Sequence, residues 1–343
     1  MSTQITNSID QLLQDHGMSD FAIIPLNEPL SFKHYTQWLN DGFHADMEYM
    51  TKSLEVRKQP SEHFKQALSI IVFRTSYFPH PEESSQTLEH LKIAHYAKGK
   101  DYHFWFRSQL NSLVHQLQEK FPQETFLAYT DSVPILERDY AQQAGLGWVG
   151  KNTCLIDRKA GSLFFIGEIL TSLSVENQPE VSPDFCGTCT ACMDACPTDA
   201  FESPKVLNAN KCIAYWNIES KKIPPEPIRE AIGDWFFGCD ICQTVCPWNI
   251  KLHKLNKNFI PKEASSEDLE SELRMILESS NKKLLKFFAE TPLTRAGGRG
   301  LKRNALIVIA NKKLKNLKDI VKTYADHESL GELAQWTLNK LDT

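Results

Sequence analysis

Apolar and polar positions alternate between two rhythms in the first half of the chain and settle into one rhythm in its last quarter. "SIDQLLQDHG" (residues 8–17) spaces its apolar residues at helical intervals, which predicts a helix stopped by Gly17. "FAIIPL" (21–26), "SIIVFRTSYF" (69–78) and "TFLAYTD" (125–131) are short apolar runs that predict strands, with a long helix over "FWFRSQLNSLVHQLQEKF" (104–121) before the last of them. "TCLIDRKAGSLFFIGEIL" (153–170) predicts two strands joined by a turn at "DRKAG", hence an antiparallel or mixed sheet. The expected class is α+β (mixed α/β).

The polar link "VENQPEVSPD" (175–184) carries two prolines and predicts a domain boundary near residue 178. From residue 262 onward the pattern is of short amphipathic helices: "SSEDLESELRMILES", "NKKLLKFFAE", "LKRNALIVIAN", "LKDIVKTYA" and "LGELAQWTLNKL". These predict a helical, HEAT-like module. Three domains are therefore expected: 1–178, 179–261 and 262–343. Runs such as "SIIVF" and "ALIVIA" fall far short of the ~20 residues that span a bilayer. The first residues show no apolar export signal. A cytoplasmic protein with no membrane partner, and a monomer, is the expectation.

Composition is that of a globular protein, 41% hydrophobic and 24% charged. Cysteine usage sharpens the picture, because eight of nine cysteines lie between Cys186 and Cys246. In a cytosolic chain that clustering favours metal ligation over disulfides. "CGTCTACMDACP" is C-x2-C-x2-C-x3-C-P, the bacterial ferredoxin pattern, whose fourth cysteine ligates the other cluster of a pair. "CDICQTVCP" repeats it from its C-P end, but with Phe236 where a first cysteine belongs. Cys212 fills that vacancy. The expected ligand sets for two 4Fe–4S clusters are Cys186, Cys189, Cys192 and Cys246 for one, and Cys196, Cys212, Cys239 and Cys242 for the other. Structural zinc is the rival, since paired C-x2-C motifs also make zinc ribbons, but it leaves the third evenly spaced cysteine unexplained. Cys154, in "TCLI", reads as a buried strand cysteine.

"GLGWVG" (145–150) matches G-x-G-x-x-G, and "KN" brings it near a P-loop. Both nucleotide sites need a strand, then the loop, then a helix. Here "PILERDYAQQAG" predicts a helix before the loop and "TCLI" a strand after it, and Asn152 replaces the Ser or Thr that would hold magnesium.

"YTDSVPILERDYAQQAGLGWVGKNT" (129–153), "GKDYH" (99–103) and the eight-cysteine arrangement together resemble the epoxyqueuosine reductase family, over nearly the whole chain. The resemblance implies a cobalamin-dependent, iron–sulfur enzyme that removes an epoxide oxygen to complete queuosine at the wobble position of tRNA, with cobalamin on the N-terminal domain. Reductive dehalogenases look like relatives, although this chain lacks their usual export signal. The resemblance makes Asp131 the proton donor; the plain alternative is an Asx turn or cap before "PILERDY". A donor Asp needs its pKa raised by burial or neighbouring negative charge. For cobalamin the resemblance points to Arg57 and to Trp148, Gly150, Lys151 and Asn152. Ordinary solvated charge is the alternative for Arg57 and Lys151, a structural helix pair for Glu137 and Arg138. His103 is a further pocket candidate.

The net charge of −5 hides a local excess: residues 295–318 hold eight basic residues and no acidic one. Arg295, Arg299, Lys302, Arg303, Lys312 and Lys313 are the expected phosphate-binding face for tRNA, against the alternative of a solvated helix surface. Lys221 and Lys222 would guide substrate near the clusters, and Tyr215 and Trp216 are candidates for stacking on an unpaired base. The full expectation is a reductase of epoxyqueuosine in tRNA, served by an unidentified low-potential electron donor. A cobalamin/iron–sulfur reductase of a small substrate and a plain ferredoxin-type electron carrier are the rivals.

Overall fold

The computed structural model describes residues 7, 9–12, 20–77, 88–131, 133–176, 179–255 and 265–343. Four strands form one antiparallel sheet in the order Asp20–Pro25, Ser69–Ser76, Phe164–Thr171, Phe126–Tyr129. The two central strands are covered on both faces, which is why they read as nearly unbroken apolar runs. Side chains then sort by alternation. Phe165, Ile169, Ile71 and Phe73 pack with Phe106, Leu110 and Leu113 of the helix Tyr102–Lys120. Phe164, Leu170, Ile70 and Val72 pack on the other face with Tyr140 and Ala141 of the helix Glu137–Gln143. Gly167 permits the close approach of the long helix, since a Cβ there would lie 2.8 Å from Phe106 Cζ.

One expected pairing is corrected. "TCLI" does not form a hairpin with the strand that follows it: Leu155–Ile156 pairs back onto Trp148–Val149. The "DRKAG" turn does close, through Asp157 N–H to Gly161 O at 2.7 Å and the reciprocal bond at 3.0 Å. The polypeptide then enters the sheet between two other strands, where Phe164–Thr171 gains partners on both edges. Of "SIDQLLQDHG", residues 9–12 are helical and Ile9 and Leu12 join the sheet core. Gly17, Phe78, residues 177–178 of the link and 262–264 of the helical segment lie outside the described residues.

The C-terminal pattern becomes the helices Ser266–Glu278, Asn281–Phe287, Gly297–Lys312, Lys318–Lys322 and Gly331–Asp342. Ser265 and Ser280 cap the first two by accepting the backbone N–H of Asp268 and Lys283. Their core is shared with the cysteine region, because Ile213, Ile218, Trp235, Phe236 and Phe237 pack among Leu273, Leu284, Leu301 and Ile307. The helical layer is also tied to the sheet domain. Trp235–Phe237 pairs in parallel with Lys92–Ile93, and the Glu272 carboxylate accepts the N–H groups of Glu89, His90 and Leu91 at 3.0, 3.3 and 3.1 Å. Among the described residues, no helix is long and apolar enough to cross a membrane.

Candidate active site and cysteine centre

The two cysteine motifs fold alike. Each enters a short helix, Ala191–Asp194 or Ile241–Thr244, whose closing turn presents the last cysteine before proline. Cys196 N–H donates to Met193 O, and Cys246 N–H to Gln243 O, both at 3.1 Å. All nine cysteines are free thiols. Cys186, Cys189, Cys192 and Cys246 line one cavity of about 160 Å³ with Phe185, Trp248 and Lys151. That is about ten times the roughly 10–15 Å³ a single water requires. Among the described residues, no three His, Cys, Asp or Glu side chains converge tightly enough to grip one metal ion. With four cysteines on its wall, the cavity has room for a cluster of several metal atoms.

The second set also gathers. Burial pushes the Cys239 thiol up to about 12, and the charges of Cys212 and Cys196 add to the shift. Cys242 is likewise raised by burial, with Cys154, Cys239 and Cys212 nearby. Thiols that crowd and desolvate one another in this way ionise together only if a cationic centre binds them, which suits iron–sulfur ligation. Phe236, at the position of the missing cysteine, is fully buried in the helical core. Cys154 is held neutral by burial, with its pKa raised to about 11.

The "GWVGKN" loop sits against these cysteines. Trp148, 1% exposed, donates Nε1–H to Cys186 Sγ at 3.4 Å. Lys151 Nζ donates to Gly187 O and Cys189 O at 2.8 and 2.9 Å, and Asn152 Nδ2 to Cys242 O at 3.3 Å. A Cβ on Gly150 would come within 2.3 Å of Ile156 Cδ1. Trp148, Lys151 and Asn152, expected at a macrocycle, thus hydrogen-bond to the cysteine loops, while Gly150 lets the loop close against Ile156. Arg57 differs. It is buried beneath Tyr35, 5.3 Å from the ring centroid, and its Nε has no hydrogen-bond partner. An orphaned buried donor of this kind fits a polar group of a cofactor.

Asp131 ends the strand Phe126–Tyr129 in the left-handed region, with φ of +48°, a strained conformation for a residue with a side chain. Its backbone N–H donates to Glu137 Oε1 at 2.6 Å. Its Oδ2 accepts from Tyr102 Oη at 2.8 Å, with His103 Nε2 at 3.7 Å. The side chain is 64% exposed. Desolvation there pushes its pKa up, but hydrogen bonds from His103 and Tyr102 outweigh it and leave Asp131 below the usual carboxyl value. This corrects the expectation of a raised pKa. The proton-bearing groups are its neighbours. Hydrogen bonds to Asp101 and Asp131 raise His103 to about 9. Burial, reinforced by the Asp131 charge, raises Glu137 to about 8.

The basic segment reaches this site through Arg295, whose charge acts on Asp131. Arg295 is bidentate to Glu219 at 3.0 and 3.1 Å and lies 5.5 Å from the Tyr49 ring centroid. Lys221 Nζ donates to Arg295 O at 3.1 Å, Arg299 donates to Lys221 O, and Lys222 pairs with Asp46 at 3.3 Å. Lys302 Nζ donates to Tyr324 Oη at 2.8 Å. Lys312 and Lys313 are exposed. Arg303 is a correction to the expected phosphate face. It is 3% exposed, it donates to Ser220 O at 2.6 Å and Lys222 O at 3.0 Å, and it joins the basic helix to the cysteine region. Arg303→Ala is expected to lower stability by roughly 2–4 kcal/mol because buried carbonyls lose a charged donor. Salt dependence of RNA binding by the folded variant should not change; a shallower salt slope would return Arg303 to the phosphate face.

Tyr102, Tyr49, Glu137 and Glu168 were not expected at the site as acting groups. Glu168 alone carried a sequence signal, an acid inside the apolar strand "FFIGEIL".

Two gathered sets of thiols, together with an acid, a histidine and a tyrosine in mutual contact at a strand end, mark an iron–sulfur oxidoreductase. Comparison with known proteins agrees: the family described as 4Fe-4S double cluster binding domain matches residues 185–249, and the family described as epoxyqueuosine reductase QueG, DUF1730, matches residues 57–132. The epoxyqueuosine reductase of Pseudomonas aeruginosa is 38% identical over 282 residues, covering 81% of this chain and 77% of that protein. That of Vibrio cholerae is 31% identical and covers 98% of this chain and 92% of that protein. A crystal structure of an epoxyqueuosine reductase with an epoxyqueuosine-modified tRNA-Tyr stem loop has the same fold, with TM-score 0.85 and 24% identity over 99% of this chain and 91% of that one. This chain belongs to the epoxyqueuosine reductase family.

Proposed function

We propose that the chain reduces epoxyqueuosine to queuosine at the wobble position of tRNA, with Asp131 delivering a proton to the departing epoxide oxygen. The observation that carries this reading is Asp131 itself, held in a strained turn between Tyr102 and His103 and facing Arg295 from the basic segment. When bound, cobalamin on the N-terminal domain and two 4Fe–4S clusters on the eight cysteines supply the electrons that side chains cannot. Arg57, with its unpartnered Nε, is the residue best placed to hold the cobalamin.

Tyr102 fixes the Asp131 carboxyl by a hydrogen bond to Oδ2, and the His103 imidazole lies 3.7 Å from the same oxygen. The exposed Lys312 and Lys313, with Lys302 and Arg299, extend the positive surface away from Arg295 and suit an RNA backbone. A monomeric cytoplasmic enzyme served by a low-potential donor is consistent with this reading.

The test is to add cobalamin to anaerobically purified protein, follow its optical spectrum, and analyse nucleosides of tRNA treated with a chemical reductant. Queuosine should appear only with cobalamin present. Conversion without cobalamin, or of a small organohalide but not tRNA, would overturn the proposal. Lys312→Ala with Lys313→Ala should reduce the logarithmic salt slope of tRNA binding by about 1 to 2, about one for each phosphate that the variant no longer neutralises. An unchanged slope would move the RNA surface elsewhere.

A further inference from the structure

Glu168 is the most anomalous side chain outside the site just described. It lies in the middle of the central strand, between Tyr129 and Val72 of the neighbouring strands. It is 0% exposed, and neither carboxylate oxygen has a hydrogen-bond partner. An unpaired carboxyl in that setting costs stability, and a hydrophobic residue of similar volume would not. Its strand position places it on the face packed against the helix Glu137–Gln143, together with Ile166 and Leu170. Glu137 opens that helix and accepts the Asp131 backbone N–H at 2.6 Å. Three carboxyls therefore lie within electrostatic reach of one another, from the sheet interior to the exposed strand end: Glu168, Glu137, Asp131.

We propose that Glu137, backed by Glu168, is an internal proton store that reloads Asp131 between the two proton transfers of epoxide reduction. The inference rests on the reading of Asp131 as proton donor. Its chemistry follows from stoichiometry. Two carbon–oxygen bonds break, a carbon–carbon double bond forms, and the oxygen leaves as water, which consumes two electrons and two protons. The electrons come from the low-potential donor through the bound metal cofactors. Asp131 holds only one proton at a time. Its first, taken from the protonated His103 beside it, goes to the oxygen, Glu137 then passes its carboxyl proton to the Asp131 carboxylate, and Asp131 delivers that proton as the second. Solvent reprotonates Glu137 once product leaves.

The electrostatics support this order. Glu137 responds to burial, then to the charges of Asp131, Arg138 and His103, and carries its proton up to about pH 8. Glu168 responds to burial, then to Glu137 and Asp131, and is held protonated well beyond the ordinary carboxyl range. Its free O–H is thus available when Glu137 becomes a carboxylate. Glu168 is sealed from every surface, and Glu137 is half-buried.

The experiment uses the holoenzyme with an epoxyqueuosine-containing stem loop. Glu137→Gln keeps the acceptor for the Asp131 N–H but has no proton to give. It should lower kcat by about 10²-fold with KM unchanged, and the loss of wild-type activity as pH rises through about 8 should vanish. Glu168→Met should raise Tm yet lower kcat and move that alkaline limb to higher pH, a combination a merely structural acid would not give. Infrared spectra of the wild type at pH 7 should show protonated carboxyl bands, one lost in each variant, so the store remains testable even if a variant folds poorly. Wild-type kcat and pH profile in Glu137→Gln would overturn the proposal. So would the absence of those bands, or a loss of turnover confined to His103→Gln. Failure of the wild type to convert the stem loop would instead count against the proposed function.

Discussion

Cys212→Ala should leave about four iron atoms per chain where the wild type binds about eight, and should abolish turnover with tRNA while the cavity around Cys186 keeps its cluster. Cys212 lies outside both C-P motifs, so its assignment is the boldest of the eight. Its support is spatial. Its thiol is raised by burial, with Cys196 close enough to add to the shift, and Cys239 feels both of them. The place it fills by spacing is occupied by Phe236, which is sealed in the helical core and whose carbonyl accepts from Asn304 Nδ2 at 2.9 Å. A thiol at 236 would point into that core, so the fourth ligand has to come from elsewhere. Iron analysis and electron paramagnetic resonance of the reduced protein check this. About eight irons in the variant would remove Cys212 from the ligand set, and zinc in place of iron would remove the clusters.

Asp131→Asn should lower the rate of epoxide reduction by about 10²–10⁴-fold, the usual worth of a positioned general acid. Cofactor content and tRNA affinity should be retained. The substitution keeps the size of the side chain at φ +48° but removes its exchangeable acid proton. Single-turnover nucleoside analysis is the measurement. Full activity with bound cobalamin would leave His103 or Glu137 as the direct donor. Because Asp131 rests below the ordinary carboxyl pKa, it is mostly ionised near neutral pH and has to receive its proton from a neighbour. The rate should therefore follow titration of those neighbours, falling as pH rises through the range of about 8 to 9 where Glu137 and His103 lose their protons. A rate already lost as pH rises through the range below the ordinary carboxyl value would show Asp131 titrating alone.

Legibility of the chain varied with the range of the interactions. Strands and helices with strong apolar periods were readable because burial on one face or two leaves a local record: the runs at 69–76 and 164–171 and the five C-terminal helices are examples. Pairing left no such record. "TCLI" and "SLFFIGEIL" are adjacent in sequence, yet Leu155–Ile156 pairs backward and Phe164–Thr171 is inserted between strands from either side. The basic run at 295–318 was plain as composition, but composition does not separate Arg303, which is buried against three oxygen acceptors, from Lys312 and Lys313, which are exposed.

By itself, the sequence determined the chemistry that depends on residue type and spacing: eight clustered cysteines, two C-P motifs short of one ligand, a glycine loop in the wrong context for phosphate, and an Asp at a strand end. Only the tertiary structure decided where those groups meet. It turned "GWVGKN" toward the cysteines, brought Arg295 to Asp131 across nearly half the chain, and set Glu168 behind Glu137. The physical reason is that ligand identity is a local covalent property. Proton affinity and access instead come from desolvation and charge supplied by residues distant in sequence.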